Sequence, residues 1–238
     1  MKLKIALLSF SLFIMVGMGP FSYFFQSANQ LTHNKFDLII GSKYWVDKTI
    51  QTILAQANNL DPEVLKVGLN AYLKARKLGM DSKQLLTLVD YSKPSAERRL
   101  WVIDLKNLKV LYNTWVSHGK HSGDATSTSF SNTPKSLKSS LGVFVTDETY
   151  IGNNGYSLRV KGLEPNFNSN AYDRNIVFHG ANYVSPGRAK DGKLGRSWGC
   201  FALSRDVIKP LIDLIKNNTL VVAYYPDKSW LKTSSFVR

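Results

Sequence analysis

Apolar residues change their spacing near residue 92, and that change divides the chain. Before it the helical period holds. Trp45, Ile50, Ile53, Leu54 and Ala57 recur on one face of a 3.6-residue repeat. Leu60-Asp61-Pro62-Glu63 reads as a helix start, because Asp61 can accept from a free N–H of the first turn. Pro62 at the first helical position gives up only an N–H that would have no partner there. Val64, Leu65, Gly68, Leu69, Tyr72 and Leu73 form the buried stripe, and Gly79 stops the helix. Asp81 or Ser82 then predicts a shorter helix carrying Leu85, Leu86 and Val89. Residues 43–91 therefore read as an N-terminal helical module, with Ser92-Lys93-Pro94-Ser95 as the break after it.

Beyond the break the elements shorten. Residues 100–105, a Lys106-Asn107 turn and residues 108–116 predict a strand, a turn and a strand. Residues 142–146, 156–160 and 175–179 are further strands, with Gly152-Asn153-Asn154-Gly155 as a hairpin turn. Residues 203–216 form the one clear helix of this half, and 220–225 a closing strand. An α+β protein follows, its β-rich domain over residues 97–226 and residues 227–238 a C-terminal tail. Residues 119–140, rich in Ser, Thr and Gly, read as a long functional or mobile loop.

The first residues carry an address. Lys2 and Lys4 precede an apolar run from Ile5 to Met18, and the small residues Ser27 and Ala28 follow. That is the layout of a secretory signal peptide over residues 1–28. Apolar character resumes at residues 21–25, so an uncleaved anchor in the inner membrane is the alternative. Either way the protein is expected outside the cytoplasm, in the periplasm or cell envelope.

Composition narrows the partners. Hydrophobic residues at 44% and charged residues at 20% allow a packed core and exclude wholesale disorder. Lys and Arg outnumber Asp and Glu by 31 to 17, a net charge of +14 that favours polyanionic surroundings. The cations are scattered, with no stripe of them interleaved with aromatics, so nucleic acid is not an expected partner. The chain has one cysteine, Cys200, which excludes an intrachain disulfide. A lone thiol is either a small buried hydrophobe or a reactive group, and its neighbours decide.

Ile176-Val177-Phe178 delivers His179-Gly180 at a strand end, and Leu194-Gly195-Arg196-Ser197-Trp198-Gly199-Cys200 follows. Gly180 frees the chain to turn, and Gly199 leaves room for a substrate to approach the backbone at Cys200. A cysteine facing the N-terminus of the 203–216 helix, beside a protonated His179, would titrate below the free value of about 8.5. Thiolate, base and backbone N–H groups near Gly199 and Gly180 are the parts of nucleophilic acyl transfer. A tetrahedral zinc site from His118, His121, His179 and Cys200 is the competing arrangement. Against it, His118 and His121 lie three apart at a strand end, where they point to opposite faces, so no metal is expected.

The order His179-Gly180, then Ser197-Trp198-Gly199-Cys200, resembles the His-Gly…Ser-x-Gly-Cys signature of the L,D-transpeptidase catalytic domain, the YkuD-like family. Tyr91-Ser92-Lys93-Pro94-Ser95, Phe130-Ser131-Asn132-Thr133 and Ser139-Ser140-Leu141-Gly142 look like its murein L,D-transpeptidase subgroup. The resemblance covers about residues 60–226. It implies a β-sandwich-like catalytic domain, Cys200 as nucleophile, His179 as base, and a main-chain carbonyl, that of Gly180, as the third member. It also implies that His118 lines the cleft, and that peptidoglycan stem peptides serve as donor and acceptor with no cofactor. Two positions depart from the pattern. Ala202 stands where many members carry Arg or Asn, and Phe201 where the murein subgroup commonly has Pro. Arg196 is then the nearest cation for a stem carboxylate, with Lys193 second, and Ser197 and Trp198 are further substrate contacts. Two rivals remain: a carboxypeptidase or endopeptidase that uses water as acceptor, and a non-catalytic wall-binding protein.

Overall fold

The computed structural model describes residues 39–238, so the leader expected over residues 1–28 lies outside the described residues. Two helices open it. Helix α1, Lys43–Gln56, is capped by Ser42, whose hydroxyl accepts from Trp45 N–H at 3.1 Å. Helix α2, Pro62–Lys77, is capped by Asp61, which accepts from Glu63 N–H at 2.7 Å. Lys74, Arg76 and Lys77 stand in its last turn, where the helix dipole favours cations. Among the described residues no helix is long and apolar enough to cross a membrane.

Among the described residues, eight strands form one sheet. They are β1 Leu85–Asp90, β2 Leu100–Asp104, β3 Lys109–Thr114, β4 Gly142–Gly152, β5 Gly155–Gly162, β6 Val177–Gly180, β7 Phe201–Leu203 and β8 Leu220–Tyr224. Their order is β3-β2-β1-β8-β4-β5-β6-β7. Parallel pairing occurs twice, β1 with β8 and β6 with β7, and the other neighbours run antiparallel. The short helix α3, Pro186–Lys190, lies between β6 and β7; α4, Arg205–Ile215, between β7 and β8; and α5, Lys228–Thr233, near the end.

The middle of the sheet is buried on both faces, which explains its composition. Leu86, Leu88, Trp101, Ile103, Leu220 and Val222 face one core, filled from outside by α1, α2 and Trp230. Val89, Leu100, Val102, Val221 and Ala223 face the other, which α4 closes with Ile208, Leu211, Ile212 and Ile215. Successive strand residues point to opposite faces, so a strand covered twice is apolar throughout. The mixed α+β fold with helices on its N-terminal side is as expected, and so is the β4–β5 hairpin, closed by Gly152 opposite Gly155.

Two elements differ from expectation. Residues 85–90 form not a helix but the strand β1, paired with β2 and β8 in the middle of the sheet. Its run Leu85, Leu86, Leu88, Val89 serves both faces, and a short continuous apolar run carries no period to separate strand from helix. Residues 227–238 are not a loose tail: Asp227 caps α5, which buries Trp230 completely. The Trp230 indole N–H donates to the Glu164 carboxylate at 3.0 and 3.1 Å, and that carboxylate also accepts from Val143 N–H at 2.7 Å.

Candidate active site

Two short parallel strands at the sheet edge position the candidate residues: His179 lies on β6, and Cys200 directly precedes β7. Phe178 registers with Phe201, His179 with Ala202 and Gly180 with Leu203. The Phe178 and Phe201 rings stack at 4.6 Å, and Phe144 meets Phe201 edge-on at 5.6 Å, so the pair is pinned from the core side. Cys200 immediately precedes β7 and stands beside the start of β6.

His179 is 4% exposed and rigidly held. Its Nδ1 lies 3.1 Å from the Gly180 carbonyl. A carbonyl can only accept, so Nδ1 carries the proton and Nε2 is the bare, basic nitrogen. Burial lowers the His179 pKa against the pull of that carbonyl, and the Arg205 cation lowers it further, so the ring is neutral at pH 7.

The Cys200 thiol donates to the Asn175 carbonyl at 3.4 Å. Burial pushes its pKa up, while a hydrogen bond from the Val177 backbone and the Arg174 cation pull it down. Burial prevails. The resting pair is therefore a thiol and a neutral imidazole, not the thiolate and imidazolium that the sequence suggested. The expected help from a helix dipole is also absent, because β7 separates Cys200 from α4. The start of α4 lies at the other end of the strand pair, where a Cβ on Gly180 would come within 2.9 Å of Ile208. A dipole acts mainly within the first turn, so α4 leaves Cys200 to other influences.

Ser197 organises the turn before Cys200. Its hydroxyl accepts from Gly199 N–H at 3.1 Å and donates to the Cys200 carbonyl at 2.8 Å. Its backbone N–H donates to the His118 carbonyl at 2.9 Å, and its carbonyl accepts from Lys120 N–H at 2.7 Å. At 3% exposure, with its hydroxyl both donating and accepting, Ser197 shapes the loop from within. Gly199 has its N–H engaged by Ser197, so it offers no oxyanion donor; its contribution is a φ of +122°, which favours glycine.

His118, expected to line the cleft, is 1% exposed and so is buried instead. Arg99 Nη2 is 2.8 Å from His118 Nδ1, and since the guanidinium can only donate, Nδ1 accepts and the proton sits on Nε2. Arg99 is fully buried, donating also to the Val116 carbonyl at 3.0 and 3.1 Å and to the Lys93 carbonyl at 2.8 Å. Burial, reinforced by Arg99, lowers the His118 pKa to about 4. Among the described residues no three His, Cys, Asp or Glu side chains gather where they could share a metal ion.

The remaining expected contacts are open to solvent. Trp198 is 75% exposed. Arg196 lines a cleft of about 300 Å³ with Lys120, Asp124, Arg188 and Lys193. Asp124 pairs with Lys193 at 2.6 Å and Arg196 at 3.5 Å, which leaves the cleft with an excess of cations. Residues 119–140 are laced into place rather than free: Ser131 N–H bonds the Ser139 carbonyl at 3.0 Å, and Ser139 N–H bonds the Ser122 hydroxyl at 2.9 Å. Arg99 and Arg174 were not singled out from the sequence. Arg99, heading the apolar run Leu100-Trp101-Val102-Ile103, is a charge at the mouth of a buried strand and so carried a signal; Arg174 carried none.

A family model described as the L,D-transpeptidase catalytic domain matches residues 56–224. A comparison with curated proteins finds no match. Among solved structures, an L,D-transpeptidase from Mycobacterium smegmatis is similar at 14% identity and a TM-score of 0.39, over 60% of this chain and 59% of that one. An L,D-transpeptidase from Stackebrandtia nassauensis is similar at 14% identity and a TM-score of 0.37, over 79% of this chain and 93% of that one. A helical cell shape determining protein from Campylobacter jejuni is similar at 10% identity and a TM-score of 0.41, over 68% and 57%.

Proposed function

This chain belongs to the L,D-transpeptidase catalytic-domain family, and from that premise we propose that it is a peptidoglycan acyltransferase with Cys200 as nucleophile and His179 as general base. The observation that carries the reading is the Nδ1–H bond from His179 to the Gly180 carbonyl. It leaves Nε2 free to take a proton, on the strand registered with the one that Cys200 precedes.

His179 Nε2 takes the thiol proton as Sγ attacks the carbonyl carbon of the bond before the terminal D-alanine of a tetrapeptide stem. The imidazolium returns that proton to the departing amine, D-alanine leaves, and a thioester remains on Cys200. The amine of a second stem then attacks. His179 accepts its proton and returns it to sulfur as the amide forms and the thiol is restored. The site lies outside the cytoplasm, where stem peptides are found.

Arg196 and its neighbours Lys120, Arg188 and Lys193 supply an electropositive cleft for the carboxylates of the stem. The exposed Trp198 offers an apolar face beside the nucleophile. The wall formed by residues 119–140 shields a thioester from water, which favours transfer to an amine.

The test is intact-mass measurement after mixing the protein with a carbapenem, whose strained amide acylates nucleophilic thiols, and with a tetrapeptide muropeptide plus excess D-amino acid. One adduct on wild type, none on Cys200→Ala, and D-amino acid exchange are expected. An adduct on Cys200→Ala would overturn the nucleophile, and tripeptide as the only product would make water the acceptor.

A further inference from the structure

Arg174 approaches Cys200 from the loop before β6, and its charge is unanswered. Its guanidinium makes four hydrogen bonds, all to neutral acceptors. Nη1 donates to the Ser131 carbonyl and the Ser140 hydroxyl, both at 2.6 Å, and Nη2 to the Lys138 carbonyl at 2.7 Å and the Ser136 hydroxyl at 3.1 Å. Nε is buried with no acceptor, and among the described residues no carboxylate pairs with the group. A half-buried cation without a counter-ion is unfavourable unless a negative group forms beside it.

One neighbour can become negative. Arg174 Nη2 lies 3.4 Å from where a Cβ of Gly199 would stand, one residue from the thiol. The thiol proton points to the carbonyl of Asn175, the residue next to Arg174. The other titratable groups facing the sulfur bring no charge at pH 7. Burial raises the Tyr91 and Tyr183 phenols to about 12, and His179, on the neighbouring strand, is neutral because burial lowers its pKa.

We propose that Arg174 is the counter-ion of the Cys200 thiolate, a positioning residue that makes deprotonation of a partly buried thiol attainable. The same guanidinium holds Ser131, Ser136, Lys138 and Ser140, so the wall over the site and the charge of the nucleophile depend on one side chain. Its pull on the thiol is reciprocal: Arg174 lowers the Cys200 pKa, and the sulfur raises that of Arg174.

The inference rests on Cys200 being the nucleophile, but its test reads the thiol alone. The rate of alkylation by iodoacetamide is followed by intact mass from pH 6 to 10 for wild type, Arg174→Lys and Arg174→Met, each checked for native thermal unfolding. Arg174→Met should raise the midpoint by about one pH unit, making alkylation at pH 7 about tenfold slower. Arg174→Lys keeps the charge while losing the planar fork, and should stay near wild type. An unchanged midpoint in Arg174→Met overturns the proposal, as does an equal rise in Arg174→Lys, which would make the loop contacts the cause. If Arg174→Met does not fold, Arg174→Gln, neutral but able to donate to the wall, carries the same comparison. Arg174-dependent alkylation in a protein that forms no thioester with substrate would count against the function and leave this inference standing.

Discussion

The hydroxyl of Ser197 donates to the main-chain carbonyl of Cys200 at 2.8 Å while accepting from the Gly199 N–H, so one side chain closes the turn that presents the nucleophile. Ser197→Ala removes both bonds and leaves a buried N–H unpaired, at about 1–3 kcal/mol. Acylation by a carbapenem should slow by about tenfold or more, because small displacements at a reacting atom are costly. Stopped-flow acylation rates, with thermal unfolding alongside, check this; an unchanged rate would show that the turn holds without Ser197.

Acid should destabilise the fold through His118. Its pKa is about 4 in the fold against 6.5 unfolded, so between those values the unfolded chain binds more protons. Stability is therefore full above about pH 6.5 and falls toward pH 4, by about 3 kcal/mol in all. The buried His179 adds in the same direction. Urea unfolding at pH 7 and pH 5 measures the slope. His118→Asn, which keeps an acceptor for Arg99 without a titrating ring, should flatten it.

The C-terminal helix should be part of the folded unit. Trp230 is fully buried against the core shared by α1, α2 and the sheet, and its indole is bonded to Glu164. Trp230→Ala should cost about 3–5 kcal/mol from the cavity and the carboxylate left unsatisfied. Trp230→Phe, which loses mainly the hydrogen bond, should cost about 1–3 kcal/mol. Equal and small losses would mean that the segment docks only weakly.

The legible parts of the sequence were those with a local cause. Asp61-Pro62, the Gly152–Gly155 turn and the short strand segments of β2 to β5 each act over a few residues, and each is where it was expected. The turn holding Gly199 and Cys200, and the strand end holding His179, were legible for the same reason. What failed depends on what covers a segment. The identity of β1 as a strand is decided by β8, some 135 residues later, and by α2 above it. At Cys200 the thiolate expected from a helix dipole gave way to burial, which only packing reveals. Arg174 is 26 positions before the thiol it faces, and no spacing rule links them.

The place of β8 in the sheet sets when the molecule can fold. Leu220–Tyr224 is the last strand in the chain, yet it fills the gap between β1 and β4. Until it emerges, two interior strands show open hydrogen-bonding edges, and the sheet exists only as unjoined pieces. Such non-local closure gives a high contact order and slow folding. A nascent chain thus cannot join the two parts of its sheet until Leu220–Tyr224 is available, and a chain cut before Leu220 would be left with both parts unjoined.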